Sequence, residues 1–438
     1  MKVLKFGGTS VGSPERMMQV ADIIAGVQGK KIVVLSAVSG TTNTLVSISD
    51  YSANDQKKEA EKVAKELHLS YHQFIKRLFS DQHYIDENIA FVDQKFQDIK
   101  NLITEEFSEQ VAKMFVAQGE LISTHLFTQY LTSIGKSAVL LPALDFMTLD
   151  DFAEPDLKTT RTKLEHQLAA VDQNVIITQG YIARNAAGGT DNLRRGGSDY
   201  SATIIGAVLN AEEVQIWTDI DGMHNNDPRV VQPTHPLANL SFEEASELAY
   251  FGAKVLHPHC IIPAQMHEVP VRIKNTMDPK AHGTLISAEK DTQSAIKAIA
   301  AKDHITAIKV KSNRMVMAYG FLKRVFEVFE KYRTPIDMIT TSEIAVSLTI
   351  DNDEHLRQIK QEIAQYATVE IDKDQTIICI VGDLIAERKG VGSAIFEALD
   401  DIPIRMISYG GSRNNISLLV PQEYKKDSLI KLHKALFT

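Results

Sequence analysis

Residues 194–199, Arg-Arg-Gly-Gly-Ser-Asp, set two cations and two glycines directly ahead of an apolar run at Ile204, Ile205, Val208 and Leu209. Gly196 and Gly197 leave backbone N–H groups open to an anion. A guanidinium such as Arg195 clamps a carboxylate through two hydrogen bonds, where a lysine acts only as a point charge. Asp199 near the helix start suits the helix dipole whatever else it does. A plain turn accounts for the glycines or for the aspartate, but not for paired cations and paired glycines together, so the stretch reads as an anion site. The same device stands near the N-terminus. Lys-Phe-Gly-Gly-Thr-Ser-Val-Gly-Ser (5–13) ends a strand on two glycines and opens a helix, which presents N–H groups and positive potential to a phosphate. Its lysine precedes the glycines, unlike a Walker A loop, and the spacing is not that of the dinucleotide fingerprint. Taken alone, this second motif fits a tight turn of an α/β sheet as well as a phosphate cradle.

Glu120 is a third candidate. Its neighbours Val116, Leu121, Ile122 and Leu126 read as a mostly buried helix, where an unpaired carboxylate is costly. A ligand ammonium or an arginine would relieve it. Two apparent metal motifs dissolve. Asp219, Asp221 and Asp227 suggest a calcium loop, but Val230 stands where the twelfth-position glutamate belongs. His257-Pro-His-Cys260 has no second ligand cluster to complete a zinc site, and His257–Pro258 reads more simply as the end of a strand. No resident metal site is expected.

The elements that must position these groups follow from pattern. "KVLKF" and "KIVVLSAVSG" are short β-branched runs, and between them Met17, Val20, Ile23 and Ile24 have helical spacing behind Ser13 as cap and Pro14 in the first turn. Strand–helix–strand starts a parallel sheet. Residues 55–110 are polar and helical and read as an inserted helical segment or lid. Further strands are expected at 175–183, ahead of the Arg-Arg-Gly-Gly motif, and at 213–223 after its helix. Turn residues collect at 275–294, which places the main boundary there. Beyond it, residues 320–348 and 390–418 repeat weakly: Phe326–Glu327 matches Phe396–Glu397, and Pro335 matches Pro403. Each repeat has the ferredoxin-like βαββαβ layout. The second lacks a last strand, whereas 295–301 is a spare one, so the first unit is expected to be inserted within the second.

With 438 residues the chain is too long for one core. Its net charge of −9 lacks the basic footprint of a nucleic-acid binder. Apolar residues at 44 % and charged residues at 24 % are ordinary for a globular protein, and no apolar run approaches the roughly 20 residues of a membrane span. "MKVLKFGG" does not read as a signal peptide, and two distant cysteines do not read as a disulfide framework. The cytoplasm is the expected compartment, with neither nucleic acid nor membrane as partner.

In order along the chain, "KFGGTSV", "VVLSAVSGTTN", "AQGELIST", "LRRGGSDYSA", "WTDIDGMHNNDPR", "FGAKVLHP" and "MITTSE" closely resemble the aspartokinases of the amino acid kinase superfamily. The resemblance runs from Lys2 to the final "LHKALF". It implies an amino acid kinase domain over 1–285, a parallel-rich sheet sandwiched by helices with the helical insertion at about 55–110. Paired ACT domains follow over 295–438, with 302–373 inserted in a second module made of 295–301 and 374–438. It also implies transfer of the ATP γ-phosphate to the β-carboxylate of L-aspartate, with Mg²⁺ carried mainly on the nucleotide phosphates. The chemistry agrees: a carboxylate acceptor is already ionised near neutrality, so no general base is needed, and the task is to hold two anions together. By matching motif, Lys5 contacts the transferring phosphoryl group and Gly7, Gly8, Thr9 and Ser10 cradle phosphates. Ser36, Thr42, Glu120, Arg195, Gly196, Gly197 and Ser198 hold aspartate, and Asp199 orients the lysine. Thr218, Asp219, His224, Arg229, Lys254 and Val255 serve the nucleotide, with His224 standing where many relatives carry tyrosine.

"MAYGFLKRVF" and "PIDMITTSE" further resemble the effector segments of lysine-inhibited aspartokinases. The matching positions are Met315, Phe321, Leu322, Ile336, Asp337, Ser342 and Glu343, of which Asp337 or Glu343 suits a lysine ammonium. Such ACT pairs imply a homodimer, with a tetramer as the alternative. The competing expectations are a different amino acid kinase and a catalytically dead amino-acid sensor that keeps the fold.

Overall fold

Two β-branched runs make the centre of the first sheet. β1 (Lys2–Phe6) pairs in parallel with β2 (Lys31–Leu35), from Lys2 opposite Lys31 to Phe6 opposite Leu35. All of β2 is buried, as a strand covered on both faces requires. Between them runs α1 (Pro14–Gly26), where the Ser13 hydroxyl accepts the Arg16 N–H at 3.3 Å and Met17, Val20, Ala21 and Ile24 face inward. The computed structural model describes residues 1–193, 196–252, 256–289, 296–311 and 319–437. Arg195, Lys254, Val255 and Met315 lie outside the described residues.

The chain divides into two units: Met1–Met223 with Ala238–Phe242 and Val255–Ala288, and His224–Leu237 with Glu243–Lys254 and Glu289–Thr438. In the first, four long helices follow β2: α2 (Thr41–Ala53), α3 (Lys57–Leu78), α4 (Gln82–Thr104) and α5 (Glu109–Ser133). Tyr71, Ile75, Val92 and Phe96 from these helices share one core with Leu4, Phe6, Val33 and Leu35 of the sheet. The helical segment is therefore built into the body of the unit. The remaining elements are β3 (Ala138–Leu140), α6 (Leu157–Leu168), β4 (Val175–Gln179), β5 (Ile182–Arg184), β6 (Thr190–Asn192), α7 (Gly197–Val208), β7 (Glu213–Thr218), β8 (Asn239–Ser241), α9 (Pro258–Met266), β9 (Val271–Asn275) and β10 (Thr284–Ser287), whereas α8 (Phe242–Tyr250) belongs, past its first residue, to the second unit. The sheet order is β3-β4-β2-β1-β7-β9-β10-β8, parallel except between β9 and β10.

Three expectations need correction here. The strand expected at 175–183 breaks into β4 and β5, because the chain turns at Gly180 and at Tyr181, whose φ is 67°. The strand expected at 213–223 stops at Thr218. His257–Pro258 does not end a strand: His257 caps α9 and Pro258 is its first residue, where a missing N–H costs nothing.

The second unit holds an antiparallel sheet in the order β12-β13-β11-β14-β16-β15, made of β11 (Ala298–Lys311), β12 (Ile339–Thr341), β13 (Ala345–Ile350), β14 (Thr368–Val381), β15 (Met406–Tyr409) and β16 (Asn415–Pro421). Its helices are α10 (Phe321–Lys331), α11 (Leu356–Ile363), α12 (Val391–Ala398) and α13 (Lys425–Phe437). The strands expected separately at 295–301 and 305–311 run together as β11, and those at 367–372 and 375–381 as β14. Ala298–Lys302 pairs with Ile377–Val381, and Ala307–Lys311 pairs with Thr368–Asp372. The register shifts between these stretches, where His304 (φ 61°) and Asp374 (φ 53°) adopt left-handed backbone, so the ladder is disrupted without parting. Residues 224–237 and 243–252, expected within the first domain, cluster with the second unit. The contacts are specific: Ile299 N–H donates to Asn225 O at 2.9 Å, and Tyr250 donates to Asp337 at 2.7 Å.

Candidate active site

β1 carries Lys5 to its carboxyl end, and α7 carries Asp199 in its first turn. Lys5 Nζ lies 2.7 Å from Asp199 Oδ1, and both side chains are largely buried, 11 % and 15 % exposed. The glycine loop stands over this ammonium, since a Cβ built on Gly7 would lie 3.3 Å from Lys5 Nζ. A Cβ on Gly8 would lie 3.1 Å from Ala37 O and one on Gly12 would lie 2.9 Å from Ser39 Cβ, so side chains at either position would fill the cradle. Ser10 ties the loop down: its hydroxyl shares a 2.8 Å hydrogen bond with Thr276, whose hydroxyl donates to Thr218 O at 2.9 Å. Ser10 and Thr218 are thus brought together through Thr276, a residue sequence reasoning did not single out. Thr218 donates on to Asp219 at 3.2 Å.

The second glycine motif is equally constrained. Gly196 adopts φ 79° as the residue before α7, and a Cβ there would meet Cys260 Sγ at 2.5 Å. A Cβ on Gly197 would lie 2.1 Å from the Tyr181 ring, and one on Gly180 would strike Ser198 at 2.5 Å. The loop after β4 and the first turn of α7 therefore interlock, and the Tyr181 N–H donates to the Ser201 hydroxyl at 2.9 Å. Burial pushes the Cys260 thiol up, with the Asp199 charge adding to it, so this cysteine is packing rather than nucleophile.

Glu120 sits on α5, 3 % exposed. The Ala37 N–H donates to its Oε1 at 3.2 Å, while Oε2 is buried without a hydrogen-bond partner among the described residues. Burial pushes its carboxyl up to about 8. Its charge in turn raises the Tyr71 and Tyr181 hydroxyls, after burial itself. Tyr71 shares a 2.9 Å hydrogen bond with Thr41, beside the predicted Thr42 at the start of α2. Tyr71 and Tyr181 are functional-site neighbours that the sequence reading missed. Only the Gly-Tyr pair after β4 could have flagged Tyr181. Ser36 follows β2, and its carbonyl accepts the Ser123 hydroxyl at 2.8 Å, one turn beyond Glu120.

Two expected nucleotide residues belong to the second unit. His224 Nδ1 shares a 2.9 Å hydrogen bond with Thr234. Arg229 pairs with Asp227 through Nε at 2.9 Å and a terminal nitrogen at 2.8 Å, an ion pair between residues two apart in which the guanidinium stays largely exposed.

Among the expected effector residues, Asp337 is the one held most tightly. Its side chain is 1 % exposed, Lys302 Nζ lies 2.9 Å from Oδ1, and Lys302 also pairs with Asp351 at 2.8 Å. The Lys302 ammonium stands 4.5 Å from the Tyr250 ring centroid. Phe321 is core and Ile336 packs against the same cluster, whereas Leu322, Ser342 and Glu343 are exposed.

Loops leaving β1, β2 and β4 and the start of α7 converge at the carboxyl ends of parallel strands, where open α/β sheets bind ligands. With glycine-opened backbone and one shared ammonium, they define a phosphotransferase class of site. The sequence matches the Amino acid kinase family over residues 1–275 and the ACT domain over residues 378–436. It is 33 % identical over 447 residues to the lysine-sensitive aspartokinase 3 of Escherichia coli strain K12, covering 99 % of each chain. Two solved structures of E. coli aspartokinase III superpose along 100 % of both chains. The complex with lysine and aspartate gives a TM-score of 0.85 at 32 % identity, and that with aspartate and ADP gives 0.84 at 31 %. The chain belongs to the amino acid kinase family and, within it, to the aspartokinases.

Proposed function

We propose that this enzyme transfers the γ-phosphate of ATP to the β-carboxylate of L-aspartate, giving 4-phospho-L-aspartate and ADP. One observation carries the reading: a single largely buried ammonium, Lys5, joins the β1 glycine loop to the first turn of α7 through Asp199. Donor and acceptor are both anions, and Lys5 stands where both loops reach it. Asp199 holds the ammonium in place as an ion partner, and the ammonium's hydrogens serve phosphoryl oxygens. Gly7, Gly8, Thr9 and Ser10 form the cradle for the phosphate chain, with the Gly8 and Thr9 N–H groups as donors, since the Gly7 N–H bonds Trp217 O and the Ser10 N–H closes the turn on Gly7 O. Glu120 receives the aspartate ammonium on its unpartnered oxygen, while Arg195, Ser198, Gly196 and Gly197 take the carboxylates and Ser36 and Thr42 border them. Thr218, Asp219, His224, Arg229, Lys254 and Val255 serve the nucleotide. Mg²⁺, when bound on the phosphates, neutralises charge between them.

The terminal region acts as the regulatory part. We assign a first ACT module to 302–373, inserted in a second made of 295–301 and 374–438, supported by pairing of 298–302 with 377–381. Lysine is the proposed effector, with its ammonium on Asp337 and with Met315, Phe321, Leu322, Ile336, Ser342 and Glu343 around it. The modules pair in a homodimer. Trapping the product with hydroxylamine tests the reaction: an acyl phosphate yields an aspartyl hydroxamate, and its absence during ATP turnover overturns the reading. Arg195→Ala should raise the aspartate KM; a change in the ATP KM alone reassigns that residue.

A further inference from the structure

Away from this site, α3 and α4 bring three donors to one point. His68 and His72 are one turn apart on the same face of α3. Asp93 projects from α4, and its Oδ1 lies 2.6 Å from His68 Nε2 and 2.7 Å from His72 Nε2. Among the described residues, this is the group of histidine, cysteine and carboxylate side chains that converges closely enough to hold a metal ion, all three ligand atoms lying within 4.8 Å of one another. The rings are oriented by packing. His68 stacks on Phe96, centroids 4.5 Å apart and 16° from parallel, and meets the His72 ring edge-on at 4.6 Å. Phe96 in turn belongs to the buried core, so the scaffold behind the donors is rigid.

We propose that His68, His72 and Asp93 form a binding site for a divalent transition metal of the zinc, cobalt and nickel class, which pins α3 to α4. Two imidazole nitrogens and a carboxylate oxygen are the donor set such borderline ions take, and three protein ligands leave a fourth position for water. Asp93 is 49 % exposed, so the ion has access from solvent. A tetrahedral ion with bonds of about 2.0–2.1 Å sets its ligands roughly 3.4 Å apart, so the present contacts must open by less than about 1 Å. A swing of the exposed carboxylate opens both. Each imidazole then turns its Nε2 lone pair to the ion and keeps its hydrogen on Nδ1. None of the three residues touches the catalytic groups, so the site tightens the helical segment without taking part in phosphoryl transfer.

The test uses full-length, tag-free, chelator-stripped protein. Co²⁺ should bind in one saturable step with the visible bands of tetrahedral coordination, Zn²⁺ should displace it, and Zn²⁺ should raise the unfolding midpoint. His72→Ala and the near-isosteric Asp93→Asn should each weaken binding by about tenfold or more, at least what losing a supporting partner of a metal ligand costs. Both variants should keep aspartate-dependent turnover, which verifies their fold. Absence of saturable uptake, or uptake unchanged in both variants, overturns the proposal and leaves the triad as a hydrogen-bonded link between helices.

Discussion

Lys5 Nζ and Asp199 Oδ1 stand 2.7 Å apart, on elements separated by nearly two hundred residues of chain, and this contact joins two glycine motifs into one site. Neither motif explains itself. Together they place one positive charge where a phosphate and a carboxylate repel each other most.

Lys5→Ala should lower kcat by about 10²-fold or more, the usual loss when a transition-state donor is removed. Asp199→Ala should also lower kcat and should destabilise the fold, because it strands a largely buried ammonium, a change on the order of 3 kcal/mol. Acting through one contact, the two substitutions should be strongly non-additive in kcat. Steady-state kinetics of both single variants and the double variant test this, and additive losses contradict it.

Glu120 makes a proton prediction. With its carboxyl raised from 4.5 to about 8, the folded, ligand-free protein holds a proton there that the unfolded chain releases. Its contribution to stability is complete below about pH 4.5 and is lost as pH rises through about 8. An aspartate ammonium on Oε2 favours the ionised form, so aspartate binding at about pH 7 should release a proton. Calorimetry of aspartate binding in buffers of different ionisation enthalpy should reveal that release. Glu120→Gln should abolish it and flatten the stability slope, whereas buffer-independent binding enthalpy in the parent contradicts the assignment.

Asp337 should be the anchor of inhibition. Its carboxylate already holds Lys302, so it accepts an ammonium geometrically. Asp337→Asn keeps the shape and removes the charge, and should raise the lysine concentration for half-inhibition by about tenfold, the value of one charge-assisted hydrogen bond. Titrating lysine and threonine separately into the kinase reaction checks this. Inhibition by threonine alone, or unchanged lysine sensitivity in the variant, opposes it.

The sheet was legible because Val3, Leu4, Val33 and Val34 form β-branched and apolar runs too short and too continuous for anything but buried strands. Glu120 was legible because its apolar neighbours made a lone carboxylate conspicuous. The continuity of β11 and β14 was not, since His304 and Asp374 are ordinary residues whose left-handed backbone only tertiary pairing selects. Tyr181 and Thr276 escaped because their roles depend on which loops meet, not on spacing. The capture of Arg229 by Asp227 went unread for a related reason: a charge in a nucleotide-like motif says nothing of which anion reaches it first. His68, His72 and Asp93 converge only once the register between α3 and α4 is known.

The most direct measurement is ADP release at saturating ATP, with and without L-aspartate. The account predicts turnover that requires aspartate and disappears in Lys5→Ala. ADP formed at the same rate without aspartate, or undiminished in that variant, would contradict it.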